Sequence, residues 1–456
     1  MRSISFSRRR FLGVTAGGCI SLALGKRADA SRVPNVIFAF SDEHRWQSMP
    51  FTEMPEVRAP NMERIAREGT EFTHCISNYP VCTPYRAMLL TGRWPYRTGM
   101  IDNNLQLRPE EETIAKAFKA AGYRTGYIGK WHLGGLRAEP FGFDTSLIWT
   151  GSKGHSQSKC HVADGPPVEM KGYAPPLMTD QALTFMDQER DKPFFLMLSW
   201  IPPHSPFRDV PDEFKAMYPK GSLPRRPNVP EAIAKEGVEG PIWGNNGWED
   251  FQGYNAHITA IDRELGRLLE ALEKKGLADN TILVYSSDHG SMFGSHGVGS
   301  KRQPYEESIR VPFLVRAPGR VPAGKKVDAL FGAIDIMPTL CGMAGVDAPT
   351  GLDGQDFSPW MRGESGPDPE SAFIMHISKK NASGGDEHPA PLFRGLRTKQ
   401  HTFAVLGEGG GLLFDNTADP YQMKNLFGDP AHEPKREQLK GMLRDWLARA
   451  VDPYEL

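Results

Sequence analysis

A cysteine, a proline and an arginine stand in close order at Cys82-Thr83-Pro84-Tyr85-Arg86, and the chain then turns apolar up to Thr91-Gly92-Arg93. Proline is tolerated in the first turn of a helix, where its missing N–H removes no intrahelical bond, so the spacing predicts a helix with Cys82 at its N-terminus. The unpaired N–H groups at that end carry a partial positive charge that favours an anion. A thiolate placed there can attack a tetrahedral ester. Only three residues separate Cys82 from Arg86, however, fewer than the phosphate-cradling loop of cysteine phosphatases requires. For this segment alone, a cysteine simply buried ahead of a helix is the plainer alternative.

Four other segments carry reactive side chains just past an apolar run. "NVIFAF" is followed by Ser41-Asp42-Glu43-His44, and "TILVYSS" by Asp288-His289-Gly290. "YRTGYIG" leads into Lys130-Trp131-His132, and "FFLMLSW" runs through Ile201-Pro202-Pro203 into His204. Ligands of open α/β sheets bind beyond the carboxyl ends of the strands. Asp42 and Asp288 offer hard oxygen donors suited to Ca²⁺ or Mg²⁺, while His289 adds a nitrogen that keeps Mn²⁺ or Zn²⁺ open. Lys130, His132 and His204 add cations and proton carriers. Any one of these groups is unremarkable in a surface loop, but four together predict a metal-assisted site for an anionic substrate.

The elements that must position these residues read as an α/β sheet covered on both faces, since short Val-, Ile- and Phe-rich runs alternate with helical patterns. "TIAKAFKAAG" reads as a short helix closed by Gly122, and "NAHITAIDRELGRLLEALEKKG" as a longer one closed by Gly276. Ile258, Ile261, Leu265, Leu268, Leu269 and Leu272 form its apolar stripe. Beyond about residue 370 the pattern changes to short strand-like pieces, "AFIMHI", "GLRTKQHTFAV" and "GLLFD", and then the helical "REQLKGMLRDWLARA". This predicts a catalytic unit over 31–369 and a smaller antiparallel unit over 370–456. The stretches from Gly151 to Tyr173 and from Pro202 to Gly253 read as long loops that wall a pocket.

Lys plus Arg (54) nearly balances Asp plus Glu (55), and no basic stripe with interleaved aromatics is present, which excludes a nucleic-acid footprint. Ser7-Arg8-Arg9-Arg10-Phe11-Leu12 resembles a twin-arginine export motif, and the apolar run from Phe11 to Leu24 ends near Ala28-Asp29-Ala30. Residues 1–30 are therefore expected to be an export signal, leaving a periplasmic or secreted enzyme with no transmembrane segment. Lipid attachment at Cys19 is the less favoured alternative. Cys341 is expected to be a buried apolar residue, and Cys160 to lie in a polar loop.

The five residues from Cys82 to Arg86 match the CxPxR motif of the type I sulfatases. The resemblance continues through the Asp42 strand, Gly129-Lys130-Trp131-His132, Pro203-His204, "SSDHG", Lys301 ahead of "YEESIRVP", and "LFDNTADPYQMKNL". It implies the alkaline-phosphatase-like fold, a mixed α/β sheet flanked by helices with a smaller C-terminal antiparallel-sheet subdomain. It also implies that a formylglycine-generating enzyme oxidises Cys82 to formylglycine; the twin-arginine machinery, expected from the leader, would export the product. Asp42, Glu43, Asp288 and His289, with position 82, are the implied ligands of Ca²⁺, with Mg²⁺ or Mn²⁺ as alternatives. Glu43 stands where many relatives carry a second Asp and others a Gln.

The resemblance further implies a role for each remaining residue. Arg86 and Lys130 would hold the hydrated aldehyde, Lys130 and Lys301 would grip sulfate oxygens, His204 would protonate the leaving oxygen and His132 would act as the base that releases sulfate. The implied substrate is a sulfated small molecule or carbohydrate. A phosphonate or phosphate diester hydrolase of the same fold is the nearest rival, and an inactive sulfated-glycan binding protein a second. Trp243, Trp248, His155, His161 and His388 are candidate sugar contacts, with loop packing or surface exposure as the plainer alternative.

Overall fold

The computed structural model describes residues 32–151, 154–162, 165–188, 191–236, 247–378 and 390–456. The expected leader, Cys19, Trp243 and His388 lie outside these residues. The first strand, β1 (Asn35–Asp42), is buried at all eight positions. Pleating sends Val36, Phe38 and Phe40 into one apolar layer and Ile37 and Ala39 into the other. A strand covered on both faces needs apolar residues in both registers, which is why this one is continuous rather than alternating.

Ten strands follow in the same sheet: β2 (Thr70–Ile76), β3 (Arg124–Gly129), β4 (Thr145–Gly151), β5 (Gln157–Val162), β6 (Val168–Lys171), β7 (Phe194–Pro203), β8 (Thr281–Ser287), β9 (Arg310–Val311), β10 (Phe313–Arg316) and β11 (Lys325–Gly332). Their order is β11-β2-β10-β8-β1-β7-β3-β4-β5-β6, with β9 paired to β2. The central run is parallel, β1 pairing with β8 on one side and β7 on the other, and β7 with β3. Ser41 is in register with Ser287, Asp42 with Pro203, and Gly129 with Ser199. The chemistry-bearing ends of four strands thus emerge along one edge.

Gly129 closes β3 with φ of +119°, and a Cβ there would lie 2.0 Å from the Ser199 carbonyl oxygen. Both the backbone conformation and the space demand glycine. Gly129→Ala is expected to destabilise the fold by roughly 2 kcal/mol or more, measured as a lower midpoint in urea unfolding; an unchanged midpoint would contradict the close β3–β7 approach.

The helix Trp248–Lys274 presents Ile258, Ile261, Leu265, Leu268, Leu269 and Leu272 to the core, each at most 1% exposed. It starts earlier than the sequence pattern predicts. Gly253 reads as a breaker, yet it sits inside the helix because Phe207 O would lie 2.1 Å from any Cβ at that point. Trp248 opens the helix and packs against the apolar layer around Ile37 rather than standing in a loop. The stretch from Gly151 to Tyr173 also differs from the expected loop, because it carries β5 and β6. Ser158 and Cys160 are the inward residues of β5, and small or polar inward residues disguise a strand's alternation.

The C-terminal sheet is β12 (Ser371–His376), β13 (Phe393–Thr398), β14 (His401–Leu406) and β15 (Gly411–Asp415), antiparallel in sequence order. "GLRTKQHTFAV" is therefore two strands. The turn at Lys399-Gln400 is held by Thr398 Oγ1, which accepts from the His401 N–H at 2.7 Å. The helix Glu433–Arg449 covers the sheet with Leu439, Leu443 and Leu447, and Trp446 stacks on Phe373 at 6.2 Å. Asn78 Nδ2 donates to Phe373 O at 2.8 Å, and Met375 N donates to Asn78 O. This small sheet thereby docks just ahead of Cys82. Among the described residues no helix is long and apolar enough to cross a membrane.

Candidate active site

Cys82 is the first residue of the helix Cys82–Thr91, all ten residues of which are buried. Val81 provides no side-chain cap, and Gly92 ends the helix in the left-handed conformation with its N–H on Met88 O. The Thr83 N–H is met by Asn103 Oδ1 at 3.0 Å. The Cys82 sulfur lies 3.2 Å from His289 Nε2, 3.6 Å from Asp42 Oδ1, 3.4 Å from Lys301 Nζ and 3.6 Å from Lys130 Nζ. Burial and Asp42 oppose ionisation of the thiol, but Lys130, Lys301 and His289 outweigh them and hold its pKa well below the ordinary value.

Asp42, Cys82, Asp288 and His289 each turn one donor atom inward, all within 4.8 Å of one another. Two carboxylates with no solvent exposure, sharing one site, carry more negative charge than the protein interior tolerates unaided. Arg86 answers part of it, its Nη2 lying 3.0 Å from Asp42 Oδ2 and 3.3 Å from Asp288 Oδ2. The guanidinium is anchored in turn by Ser199 Oγ at 2.8 Å and Lys130 O at 2.7 Å, over the Phe40 ring. The position of Arg86 is thus that of a brace between carboxylates. Burial together with the Asp42 charge raises the pKa of Asp288, whereas at Asp42 burial is outweighed by Lys130, His204, Arg86 and Lys301.

This donor set fits a divalent cation. His289 Nδ1 donates to Gly290 O at 2.9 Å, which leaves Nε2 as the lone-pair nitrogen facing the group. Glu43 lies outside the four-residue group: its Oε1 pairs with Lys301 Nζ at 2.6 Å, and its N–H donates to Asp288 Oδ1 at 3.1 Å. It does come together with Asp42 and His204 in a second, overlapping cluster. Lys130 Nζ lies 2.5 Å from Asp42 Oδ2, so both lysines are tied to a carboxylate while bordering the sulfur.

Lys130, His132 and His204 line one cavity of about 520 Å³, with Trp149, Leu136 and Asn104 among its walls. Both stretches read as loops contribute, through Gly154 and His155 from one and His204, Ser205 and Pro206 from the other. Burial lowers the pKa of His132 against a raising contact with Cys82, and burial lowers that of His204 against the raising charge of Glu43.

Several residues that the sequence left unmarked prove to shape this site. Ser199 sits mid-strand with no motif around it. Asp209 accepts from the Ser156 N–H and hydroxyl at 3.1 and 2.8 Å. His155, a candidate sugar contact by sequence, is buried, and burial pushes its pKa down to about 4. Its Nε2–H donates to His204 O at 2.8 Å. Behind it His257 accepts the Tyr173 hydroxyl at Nδ1, 2.6 Å away. His161 lies on β5 and does not line the cavity.

The sequence profile described as Sulfatase matches residues 34–346, and one described as N-sulphoglucosamine sulphohydrolase, C-terminal, matches 294–449. An ulvan-active sulfatase of Formosa agariphila is 36% identical over 446 residues, which is 94% of this chain and 84% of that protein. An endo-4-O-sulfatase of Bacteroides thetaiotaomicron is 30% identical over 94% of each chain. Among solved structures, a protein in complex with its substrate D-glucosamine-2-N,6-O-disulfate superposes with a TM-score of 0.83 at 26% identity, over 92% of this chain and 99% of that one. Matches of this extent, to the family profile and along nearly the whole chain of named relatives, establish that the protein belongs to the sulfatase family, the hydrolases of sulfate esters on the alkaline-phosphatase-like fold.

Proposed function

We propose that this sulfatase desulfates a carbohydrate, with Cys82 oxidised to formylglycine and with a divalent cation, Ca²⁺ foremost, held by Asp42, Asp288, His289 and position 82. The observation that carries this reading is the convergence of four donor atoms within 4.8 Å at the N-terminus of the Cys82 helix. Carbohydrate is supported by the relatives, of which one is ulvan-active and another takes a disulfated glucosamine as substrate. The Arg8-Arg9-containing leader supports export by the twin-arginine route to the periplasm or beyond, after maturation by a formylglycine-generating enzyme. The units 31–369 and 370–456 are retained as the catalytic and C-terminal parts.

A hydrated aldehyde at position 82 would supply two hydroxyls on one carbon, one to attack sulfur and one whose deprotonation re-forms the aldehyde and expels sulfate together with the first oxygen. A bound divalent cation supplies charge that favours an ionised oxygen and screens the sulfuryl group. The sulfur atom of Cys82 marks where those hydroxyls stand. Lys130 and Lys301 flank that point at 3.6 and 3.4 Å, each oriented by a carboxylate, and meet the negative charge that builds on the sulfuryl oxygens. An anionic ester arriving between them and His204 favours the protonated imidazole, which donates to the departing alcohol oxygen. His132, whose pKa desolvation lowers, accepts the proton on the exit side.

Turnover of nitrophenyl sulfate, phenylphosphonate esters and defined sulfated oligosaccharides tests the reading. Sulfatase activity exceeding phosphonate hydrolysis supports it, and the reverse order would favour the diester-hydrolase alternative. His204→Ala is expected to lower kcat/KM on sugar sulfates roughly 10²- to 10⁴-fold while costing nitrophenyl sulfate, whose leaving group needs no proton, far less. A uniform loss across leaving groups would remove His204 from the acid role.

A further inference from the structure

Three consecutive residues that belong to no strand or helix touch three parts of the active site. Asp102, buried, accepts from Arg302 Nη1 at 3.2 Å, directly after Lys301 in the chain. Arg302 has φ of +69° and is also held by His376 Nε2 at 3.0 Å. Asn103 Oδ1 accepts from the Thr83 N–H at 3.0 Å, next to Cys82. Asn104 Oδ1 lies 3.4 Å from His132 Nε2 and lines the cavity. The strap 102–104 is therefore tied to the nucleophile helix, the base and the Lys301 segment at once.

The third contact carries chemical information. His132 has a left-handed backbone, φ of +57°, whose carbonyl accepts from Thr83 Oγ1 at 2.7 Å. Its main chain is thus pinned to the residue after Cys82, and its ring orientation rests on the side chain. A carbonyl oxygen of asparagine can only accept, so the nitrogen facing it must carry the proton. Nε2–H is then spoken for, and Nδ1, a buried atom that pairs with no group outside position 82, keeps its lone pair for the Cys82 side chain, with which the ring makes a hydrogen-bonding contact. We propose that Asn104 is a positioning residue that fixes His132 as the Nε2–H tautomer, so that Nδ1 is the atom that accepts the proton from the side chain at position 82. The imidazolium formed retains its bond to Asn104 through Nε2–H, and neither ring nor strap has to move between the two protonation states. Asn104 has φ of +62°, a conformation that Asn and Asp tolerate better than other side chains, so the backbone that aims Oδ1 also restricts the residue type.

The inference rests on His132 serving as the base at position 82, and the experiment separates the two. The ¹⁵N shifts of the His132 ring in the full-length metal-loaded enzyme read the tautomer directly. The wild type is expected to show a protonated Nε2 and an unprotonated Nδ1. Asn104→Gly, which keeps the backbone conformation and removes the side chain, is expected to show a mixture of tautomers and to lower kcat about 10- to 100-fold with KM nearly unchanged. Asn104→Asp, which retains an acceptor oxygen, is expected to restore the single tautomer and most of kcat. A wild-type ring protonated at Nδ1, or an Asn104→Gly variant with a raised KM and an unchanged kcat, would overturn the assignment. Normal turnover in His132→Ala would instead overturn the role of the base itself.

Discussion

Cys82→Ser is expected to fold and to lose multiple turnover by on the order of 10³-fold or more. Serine is close to cysteine in volume and places an oxygen among the same partners, His289, Asp42, Lys130 and Lys301. It offers a single hydroxyl. After that oxygen takes the sulfuryl group, no second hydroxyl remains on the carbon for His132 to deprotonate, and release requires a water that the buried site does not favour. Intact mass after exposure to nitrophenyl sulfate is expected to show one added sulfuryl group, or no reaction at all. The exported wild type is expected to carry the aldehyde or its hydrate at position 82. Because the proposed twin-arginine route moves folded protein and oxidation needs an accessible segment, the conversion is expected before export. Wild-type multiple turnover by the serine variant would rule out the formylglycine route and leave a metal-assisted hydrolase of the same fold.

Removing either buried carboxylate gives the second large effect. Asp288→Asn is expected to reduce bound divalent metal to well below one per chain and to lower turnover on the order of 10²-fold or more, because the remaining donors do not balance a divalent charge. Asp42→Asn is expected to do the same and to lose stability as well. Asp42 is the partner of Lys130 at 2.5 Å and of Arg86 at 3.0 Å, and breaking a buried pair from one side costs about 3–5 kcal/mol. Metal analysis, turnover and thermal unfolding on the same samples separate these consequences. Full occupancy with near-normal turnover in both variants would exclude this group as the metal site.

The two carboxylates also show why local sequence stops short of the site. Asp42 and Asp288 each stand at the end of an apolar run, so their chemistry and their position on a strand end are legible. That one guanidinium bridges both is not, because it depends on β1 lying between β8 and β7. Arg86 reads as a group that holds the oxidised side chain, and its contacts in the folded chain are with the two carboxylates, Ser199 and Lys130 O. Glu43 is similar. Its place beside Asp42 makes it a metal candidate, and its left-handed backbone turns the side chain onto Lys301.

Where the elements depart from the local sequence pattern, the causes are local and physical. The β5–β6 hairpin was disguised by small and polar inward residues, and the early start of the Trp248 helix by a glycine retained for a backbone contact rather than for a turn. The break between β13 and β14 hides in a run whose strand residues continue on both sides of Lys399-Gln400. His155 shows the converse problem, since a polar neighbourhood in sequence became a buried one when β5, Asp209 and the His204 segment packed together.

The sequence by itself determined what depends on near neighbours: which runs are buried strands, that Cys82 begins a helix with Pro84 in its first turn, and which reactive residues follow each strand. Side-chain chemistry and short-range periodicity are properties of a few consecutive residues. Only the tertiary structure decided which of those residues meet. The strap at 102–104 reaches Thr83, His132 and Arg302, and none of these contacts leaves a trace in the spacing of residues. They depend on strand order, on register and on a balance of buried charge that exists only once distant segments share one low-dielectric site.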